Sequence, residues 1–251
     1  MVIKDILTPA TITYIEQALC MGKERKNQGS KIWSAGPLTG NKENKKFKSN
    51  KEYIGPCYRT ICEKVWKDVE SNMTWRKYIT APKSSTPPLI LKYEKGDHYK
   101  PHTDISKGYD NIALHYTNIL FLNDPKEYGG GELMVDIYGS SLPFKLEKNS
   151  ILTYPTGLKH SVNPITRGKR YSLIWWSDSF ISNEEDRVTL RTLEKLLMGV
   201  HEYMRDELSL EGSSTASHPL GEIGVHCNTI AERIHSKYPR SRDPQCYLIT
   251  E

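Results

Sequence analysis

Residues 89–104 have the sequence LILKYEKGDHYKPHTD and carry the most informative pattern in the chain. The apolar run Leu89–Tyr93 has strand character and leads through a turn into a short segment that ends in His-Thr-Asp. Side chains two positions apart on a strand project from the same face, so His102 and Asp104 can reach one ion. Thr103, which stands between them, then points away.

A later histidine, His160, completes a set of three candidate metal ligands. Two imidazoles and one carboxylate form the facial triad that suits ferrous iron and leaves positions open for an oxidant and a co-substrate. A structural zinc site would be closed instead, usually with thiolates. Because a His-x-Asp pair alone recurs by chance, the triad gains its weight from the residues around it.

Short apolar segments separated by turn residues continue beyond the His-x-Asp pair. Residues 118–122 and 150–155 are typical of buried strands, and Gly129–Val135 precedes a turn near Tyr138. Strands at this spacing favour an antiparallel barrel or sandwich over alternating helices and strands. We therefore expect a mainly β chain with flanking helices, in the α+β class.

Arg170 is a second component of the predicted site. It begins a strand-like segment in which Arg170, Ser172 and Trp176 share a face by alternation. A guanidinium beside a hydroxyl suits a carboxylate, because the planar fork binds it bidentately and stays charged when buried. An isolated arginine would be interpreted as a surface charge, but its position shortly after His160 favours a functional role.

Further motifs surround these residues and extend over roughly residues 31–190. They are Tyr93, Gly96, Tyr99, Phe121–Pro125, Tyr128–Leu133, Trp33–Gly36, Lys48–Asn50, Tyr154-Pro155 and Pro164–Gly168. Together with the triad and Arg170, they resemble the 2-oxoglutarate- and Fe(II)-dependent dioxygenases of the prolyl 4-hydroxylase branch. Within that branch the chain is most similar to the PKHD-type hydroxylases.

This resemblance implies a double-stranded β-helix, a jelly-roll core of the cupin type. The residues carried over are His102, Asp104 and His160 for Fe(II), and Arg170, Tyr93 and Ser172 for 2-oxoglutarate. Trp176 and Tyr99 also match positions near the site, although a core position explains each of them equally well. The resemblance further implies O2 as a co-substrate and ascorbate as a candidate cofactor.

The substrate implied by the resemblance is a prolyl residue of a peptide or protein. The same chemistry on a free amino acid, a small molecule or a nucleic acid stays an alternative, as does a non-catalytic jelly-roll binding module. A net charge of +5 does not oppose a nucleic-acid substrate, but an excess this small decides nothing. The sequence leaves the oligomeric state open.

Composition limits the organisation of the chain. Its 251 residues suffice for one substantial core. Five cysteines without a repeated spacing indicate reduced thiols, and neither a disulfide framework nor a thiolate zinc site. The first residues lack the apolar region of a signal peptide, and no apolar run approaches the length of a membrane span. We therefore expect a cytoplasmic protein with no membrane partner.

We expect one domain in three parts. Residues 1–80 would form N-terminal helices and a basic loop, residues 81–182 the catalytic core, and residues 183–251 a helical extension. Helix starts are predicted at Thr8-Pro9 and at Asn183, where a cap residue precedes helical apolar spacing. Another helix is predicted over residues 58–69, and one short helix near the C-terminus. Segments 23–51 and 212–217 are predicted to be a solvated loop and a linker.

Overall fold

The computed structural model of the protein describes residues 1–21, 32–34, 47–104, 112–208 and 218–242. Most of the basic segment 23–51, the linker predicted at 212–217 and Cys246 lie outside the described residues. The described cysteines are all free thiols, as expected: Cys20, Cys57, Cys62 and Cys227.

Short strands occupy the middle of the chain, and helices lie toward both ends. The strands are β1 (Val2–Ile3), β2 (Lys51–Glu52), β3 (Pro82–Ser85), β4 (Leu89–Tyr93), β5 (Tyr99–His102), β6 (Tyr116–Phe121), β7 (Gly129–Gly130), β8 (Leu133–Ile137), β9 (Ser140–Phe144), β10 (Ser150–Pro155), β11 (His160–Val162), β12 (Ile165–Arg167) and β13 (Arg170–Ser179). The α-helices are α1 (Pro9–Ala18), α2 (Tyr58–Ser71), α3 (Met73–Ile79), α4 (Glu184–Asp206) and α5 (Pro219–Ser236), and a 3₁₀ helix covers Pro239–Arg242.

Eight of these strands pair in the order of a double-stranded β-helix. The larger sheet contains the sequence β10-β6-β13-β4, and the smaller sheet has the order β5-β11-β8-β9. All of these neighbours are antiparallel, and the chain crosses repeatedly between the two sheets. β1 and β2 extend the larger sheet at its two edges. The expected α+β class with a jelly-roll core is confirmed.

Apolar side chains of both sheets form one core cluster. Its buried members include Leu91, Ile119, Phe121, Leu133, Val135, Leu152 and Val162. The central strand β6 is buried along its whole length, and the buried residues include the polar Asn118. The Asn118 Oδ1 atom accepts hydrogen bonds from Trp75 Nε1 at 3.0 Å and Thr153 Oγ1 at 2.9 Å, and its Nδ2 donates to Ser177 Oγ at 2.9 Å. The core thus satisfies this buried carboxamide, as burial of a polar group requires.

The chain divides into two compact units. One consists of residues 1–75 and 84–178, and contains the jelly-roll core. The other consists of residues 76–83 and 179–251. Its own apolar cluster contains Ala81, Ile181, Leu190 and Ile234. All the residues that the sequence predicts for the catalytic site belong to the first unit.

The predicted helix starts are present. The Thr8 side chain accepts a hydrogen bond from the Thr11 backbone N–H, and the Asn183 side chain accepts one from the Asp186 backbone N–H. The sequence analysis missed α3, and α5 is longer than the short helix expected near the C-terminus. On α4, Leu190 and Leu197 are buried, whereas Val188 stays 46% exposed.

Gly96 and Gly130 differ in how closely other backbone atoms approach them. Gly130 and Gly96 both have positive φ angles, of +66° and +89°. A Cβ atom on Gly130 would lie 2.1 Å from the Pro164 carbonyl oxygen, whereas one on Gly96 would meet no atom within 4 Å. We expect Gly96→Ala to cost about 1–2 kcal/mol from left-handed strain alone. Gly130→Ala should cost clearly more, because backbone atoms must also move. Urea unfolding of both variants measures the difference, and equal losses would contradict the close approach.

Candidate active site

The strand pairing of the smaller sheet brings the two predicted histidine ligands together. His102 ends β5 and His160 begins β11, and the two residues are direct partners in the antiparallel register. Their ring centroids lie 4.2 Å apart. β5 ends at His102, so Asp104 lies just beyond the strand, yet its side chain still turns to the same place while Thr103 is exposed. The predicted convergence of the three residues is therefore present.

The three side chains form a compact donor set. His102 Nε2 lies 3.6 Å from Asp104 Oδ1, and His160 Nε2 lies 3.7 Å from Asp104 Oδ2. One donor atom from each residue falls within 4.8 Å of the others. In the described part of the chain, this is the one cluster of histidine, cysteine or carboxylate side chains with such spacing. Two imidazole nitrogens and a carboxylate without a thiolate fit ferrous iron better than a closed zinc site.

Backbone carbonyls fix the orientation of both imidazoles. His102 Nδ1 lies 2.9 Å from the Lys100 carbonyl oxygen, and His160 Nδ1 lies 3.0 Å from the Leu158 carbonyl oxygen. A carbonyl can only accept, so we assign the proton of each ring to Nδ1. Each Nε2 then keeps its lone pair toward the cluster, which is the tautomer that a metal ligand needs.

Two side chains of the larger sheet hold the carboxylate of Asp104. Trp176 Nε1 donates to Asp104 Oδ2 at 2.8 Å, and Thr117 Oγ1 donates to the same oxygen at 3.3 Å. Burial acts to raise the pKa of Asp104, but the nearby His102 and His160 and the Trp176 donor together hold this pKa below its usual value. The carboxylate is therefore ionised and ready to bind a cation.

The two histidines differ in their surroundings: burial acts on His160, and an aromatic ring stacks on His102. Burial lowers the pKa of His160 and outweighs the opposing effect of Asp104, so its imidazole is held neutral. Tyr99 stacks on His102 with 3.6 Å between the ring centroids. The sequence left Tyr99 open between wall and core, and this contact makes it part of the wall of the site.

Arg170 lies inside the core without a carboxylate partner. It is 2% exposed, and its Nη1 atom donates to Ser172 Oγ at 2.9 Å, as strand alternation predicts. Its guanidinium lies over the rings of Tyr93 and Phe121, at 5.4 Å and 5.2 Å. Its Nε atom has no hydrogen-bond partner, and no acidic residue among those described forms an ion pair with it. A buried, unpaired guanidinium is costly, and it fits a ligand that brings a carboxylate.

Tyr93 and Tyr154 are the other polar groups of this interior. Burial raises the pKa of Tyr93 to about 12, so its phenol stays neutral. The Tyr154 hydroxyl is buried and has no partner, and its ring lies 5.6 Å from the His160 ring. Burial raises the pKa of Tyr154 well above its usual value. The nearby Asp104 adds to this effect, and Arg170 opposes it.

Sequence reasoning gave no role to Thr117 or to Tyr154. Thr117 lies on the neighbouring strand of the larger sheet, as the register partner of Trp176. Without the strand pairing, nothing in the sequence connects it with Asp104. The His98 ring lies against the Gly96 carbonyl oxygen and is not part of the metal cluster.

A pair of tryptophans tests the support of Asp104. Trp176→Phe keeps an aromatic ring but removes the donor to Asp104 Oδ2, and we expect the affinity for Mn(II) to fall about 10- to 100-fold. Trp175→Phe is the matched control, since the buried Trp175 Nε1 atom has no acceptor to lose. Metal titration followed by electron paramagnetic resonance measures both affinities. If the two variants bound Mn(II) equally well, Trp176 would have no part in the site.

Comparison with known proteins agrees with this geometry. Residues 88–178 match the model of the 2OG-Fe(II) oxygenase superfamily. A PKHD-type hydroxylase of Gluconobacter oxydans is 30% identical over 194 residues, which cover 74% of this chain and 80% of that protein. Another from Gluconacetobacter diazotrophicus is 28% identical over 206 residues, 79% of this chain and 88% of that protein. A solved prolyl-4-hydroxylase of Pseudomonas putida superposes with a TM-score of 0.46 and 14% identity over 71% of this chain and 91% of that one.

The chain is therefore a member of the 2OG-Fe(II) oxygenase superfamily, an enzyme class that uses Fe(II) and 2-oxoglutarate. Within this class it belongs to the PKHD-type hydroxylases. As a separate finding, no helix in the described ranges combines the length and the apolar character needed to cross a membrane.

Proposed function

We propose that this dioxygenase hydroxylates a prolyl residue of a peptide or protein. In this proposal His102, Asp104 and His160 hold Fe(II), and Arg170 binds the distal carboxylate of 2-oxoglutarate. The observation that carries it is the combination of a preoriented His-Asp-His cluster with a buried arginine that has no acidic partner among the described residues.

The two sheets supply different parts of the proposed site, one the metal ligands and the other the residues for the co-substrate. The smaller sheet and the residues just after β5 present two imidazoles and one carboxylate to the metal. The larger sheet presents Arg170, which would bind the carboxylate of the co-substrate, with Ser172 and Tyr93 beside it. With Fe(II) and 2-oxoglutarate bound, the site would use O2 as the oxidant: one oxygen atom is added to the substrate C–H bond, and the other to 2-oxoglutarate, which is released as succinate and CO2. The chain's share is to bind, orient and shield them.

Tyr93 and Ser172 take supporting roles in this proposal. Ser172 fixes one edge of the guanidinium through its hydrogen bond to Nη1. The Tyr93 ring covers the guanidinium face, and its phenol stays protonated and can donate to a carboxylate. Arg170 Nε and the Tyr154 hydroxyl supply two further donors that have no partner among the described residues. A dicarboxylic acid is the type of ligand that can use all of them.

The PKHD-type membership and the motifs shared with the prolyl 4-hydroxylase branch support the proposal of a prolyl substrate. Its test is mass spectrometry of a library of proline-containing peptides after reaction with Fe(II), 2-oxoglutarate and O2. We expect one added oxygen, located on proline, in those peptides that also stimulate succinate formation. Stimulation by a free amino acid or an oligonucleotide, with unmodified peptides, would refute the prolyl assignment in favour of the corresponding alternative.

We also propose ascorbate as an auxiliary reductant. An open ferrous site is exposed to oxidation to ferric iron, and an external reductant restores the ferrous state. Ascorbate should therefore raise the number of turnovers in a long reaction more than the initial rate. An equal number of turnovers with and without ascorbate would remove it from the cofactors of this enzyme.

A further inference from the structure

Asn50 is a buried side chain whose hydrogen-bonding groups are all unused. It is 1% exposed, and among the residues that the structure describes neither its Oδ1 nor its Nδ2 atom has a hydrogen-bond partner. Two other buried asparagines of the same unit behave differently. Asn118 uses both ends of its carboxamide, and Asn123 accepts from the Tyr171 backbone N–H and donates to Glu127. An unsatisfied carboxamide is unfavourable in a protein core, so Asn50 calls for an explanation.

Strand pairing places Asn50 on the wall of the candidate site. Lys51 is the register partner of Lys92, and Glu52 that of Leu91, so the next pair along the strands is Asn50 with Tyr93. Opposite residues of antiparallel strands project from the same face. Tyr93 is in turn the register partner of Arg170. Asn50 therefore lies in one row with the two residues proposed for the co-substrate, and it is buried to the same degree as Arg170.

Two charged residues flank Asn50 in the chain and are paired with each other. Lys48 and Glu52 lie two positions before and after Asn50, and their side chains form an ion pair at 3.2 Å with only 7% and 5% exposed. Lys48 Nζ also lies 5.6 Å from the centre of the Tyr99 ring, which stacks on the ligand His102. Asn50 thus stands within a buried polar wall that leads from the arginine row to the metal cluster.

The unused atoms of Asn50 define the chemistry of its partner. The carboxamide offers one acceptor oxygen and one donor NH2 group. 2-Oxoglutarate is a dianion that carries acceptors only, so it would satisfy Nδ2 and leave Oδ1 unpaired. The backbone of an extended polypeptide carries an N–H donor and a C=O acceptor on the same edge and can satisfy both ends. We propose that Asn50 binds the backbone of the polypeptide substrate through two hydrogen bonds, one from a backbone N–H to Oδ1 and one from Nδ2 to a backbone C=O, an inference that rests on the proposed function.

Two small probes test this inference without knowledge of the natural substrate. N-acetyl-L-proline N-methylamide contains the N–H that follows a prolyl residue, and N-acetyl-L-proline methyl ester lacks it. Their binding to the enzyme loaded with Mn(II) and 2-oxoglutarate, in the absence of O2, is measured by paramagnetic relaxation of the probe protons. We expect the wild type to bind the amide up to about tenfold more tightly than the ester. In Asn50→Leu the two probes should bind equally.

The same variant reports whether Asn50 has a structural role. Replacing an unsatisfied amide by an apolar side chain of similar size should raise the melting temperature of the ligand-free protein by about 2–4 °C. The dissociation constant for 2-oxoglutarate should stay within about twofold of the wild-type value, because the arginine row is intact. A fall of several degrees would show that Asn50 stabilises the fold, and a large loss of 2-oxoglutarate binding would assign it to the co-substrate. Either result overturns the inference.

Failure of the inference can be told from failure of the proposed function. Equal binding of both probes by the wild type, or a preference that survives in Asn50→Leu, overturns the role of Asn50 even if the peptide library shows hydroxylated proline. An amide preference that depends on Asn50, without any oxygen added to proline, supports the binding role and refutes the prolyl assignment.

Discussion

Asp104→Ala is expected to abolish succinate formation from 2-oxoglutarate. The substitution removes the one anionic group of the His102-Asp104-His160 cluster and leaves two imidazoles facing each other. Loss of a hydrogen bond that supports a metal ligand already costs about 10- to 100-fold, so loss of the ligand itself should cost at least about 100-fold in Fe(II) affinity. Anaerobic Fe(II) titration and a succinate assay at saturating 2-oxoglutarate measure the two effects separately.

Thr103→Ala is the matched control for this prediction. Thr103 is the immediate neighbour of Asp104 and is exposed, so its hydroxyl takes no part in the cluster. We expect wild-type iron binding and turnover from this variant. If Asp104→Ala still turned over 2-oxoglutarate at the wild-type rate, the metal site would have to lie elsewhere in the chain.

Strand positions were predictable because alternation and turn residues are local signals. The segments Leu89–Tyr93 and Ser150–Pro155 were predicted with the bounds that the structure shows. The short helix α3 was not predicted, since its seven residues are too few for a clear apolar period. The apolar spacing that predicts α4 indicates an apolar face but not how much of that face a partner covers, and Val188 stays exposed.

The candidate site was predictable where its residues are close in sequence. His102 with Asp104, and Arg170 with Ser172, follow from a spacing of two on extended chain. Thr117 and Asn50 could not be assigned in this way. Each reaches the site only through pairing with a strand distant in sequence, β13 for Thr117 and β4 for the segment that contains Asn50. The unsatisfied state of Asn50 is likewise a property of the packed structure.

Arg170→Met should raise the Michaelis constant for 2-oxoglutarate strongly. The apparent affinity for iron should change much less. Methionine keeps an unbranched stem beside Tyr93 and Phe121 but removes the guanidinium, so the fold should survive. Removing one partner of a buried charge pair costs about 2–5 kcal/mol, equivalent to about 30- to 4000-fold in affinity. We therefore expect a rise of at least about 30-fold in that constant.

The exposed Arg167 is the matched control for Arg170. It lies on β12, the strand that precedes β13 in the chain, and among the described residues its guanidinium donates to the Lys126 carbonyl oxygen. Arg167→Met should leave both constants unchanged. Steady-state kinetics with varied 2-oxoglutarate, together with Mn(II) binding in the absence of the co-substrate, separates the two sites in each variant. If Arg170→Met kept the wild-type constant for 2-oxoglutarate, the free donors of Arg170 and Tyr154 would serve a different carboxylate. If it lost Mn(II) binding as well, the arginine would act on the metal cluster, and the proposed division of work between the two sheets would be wrong.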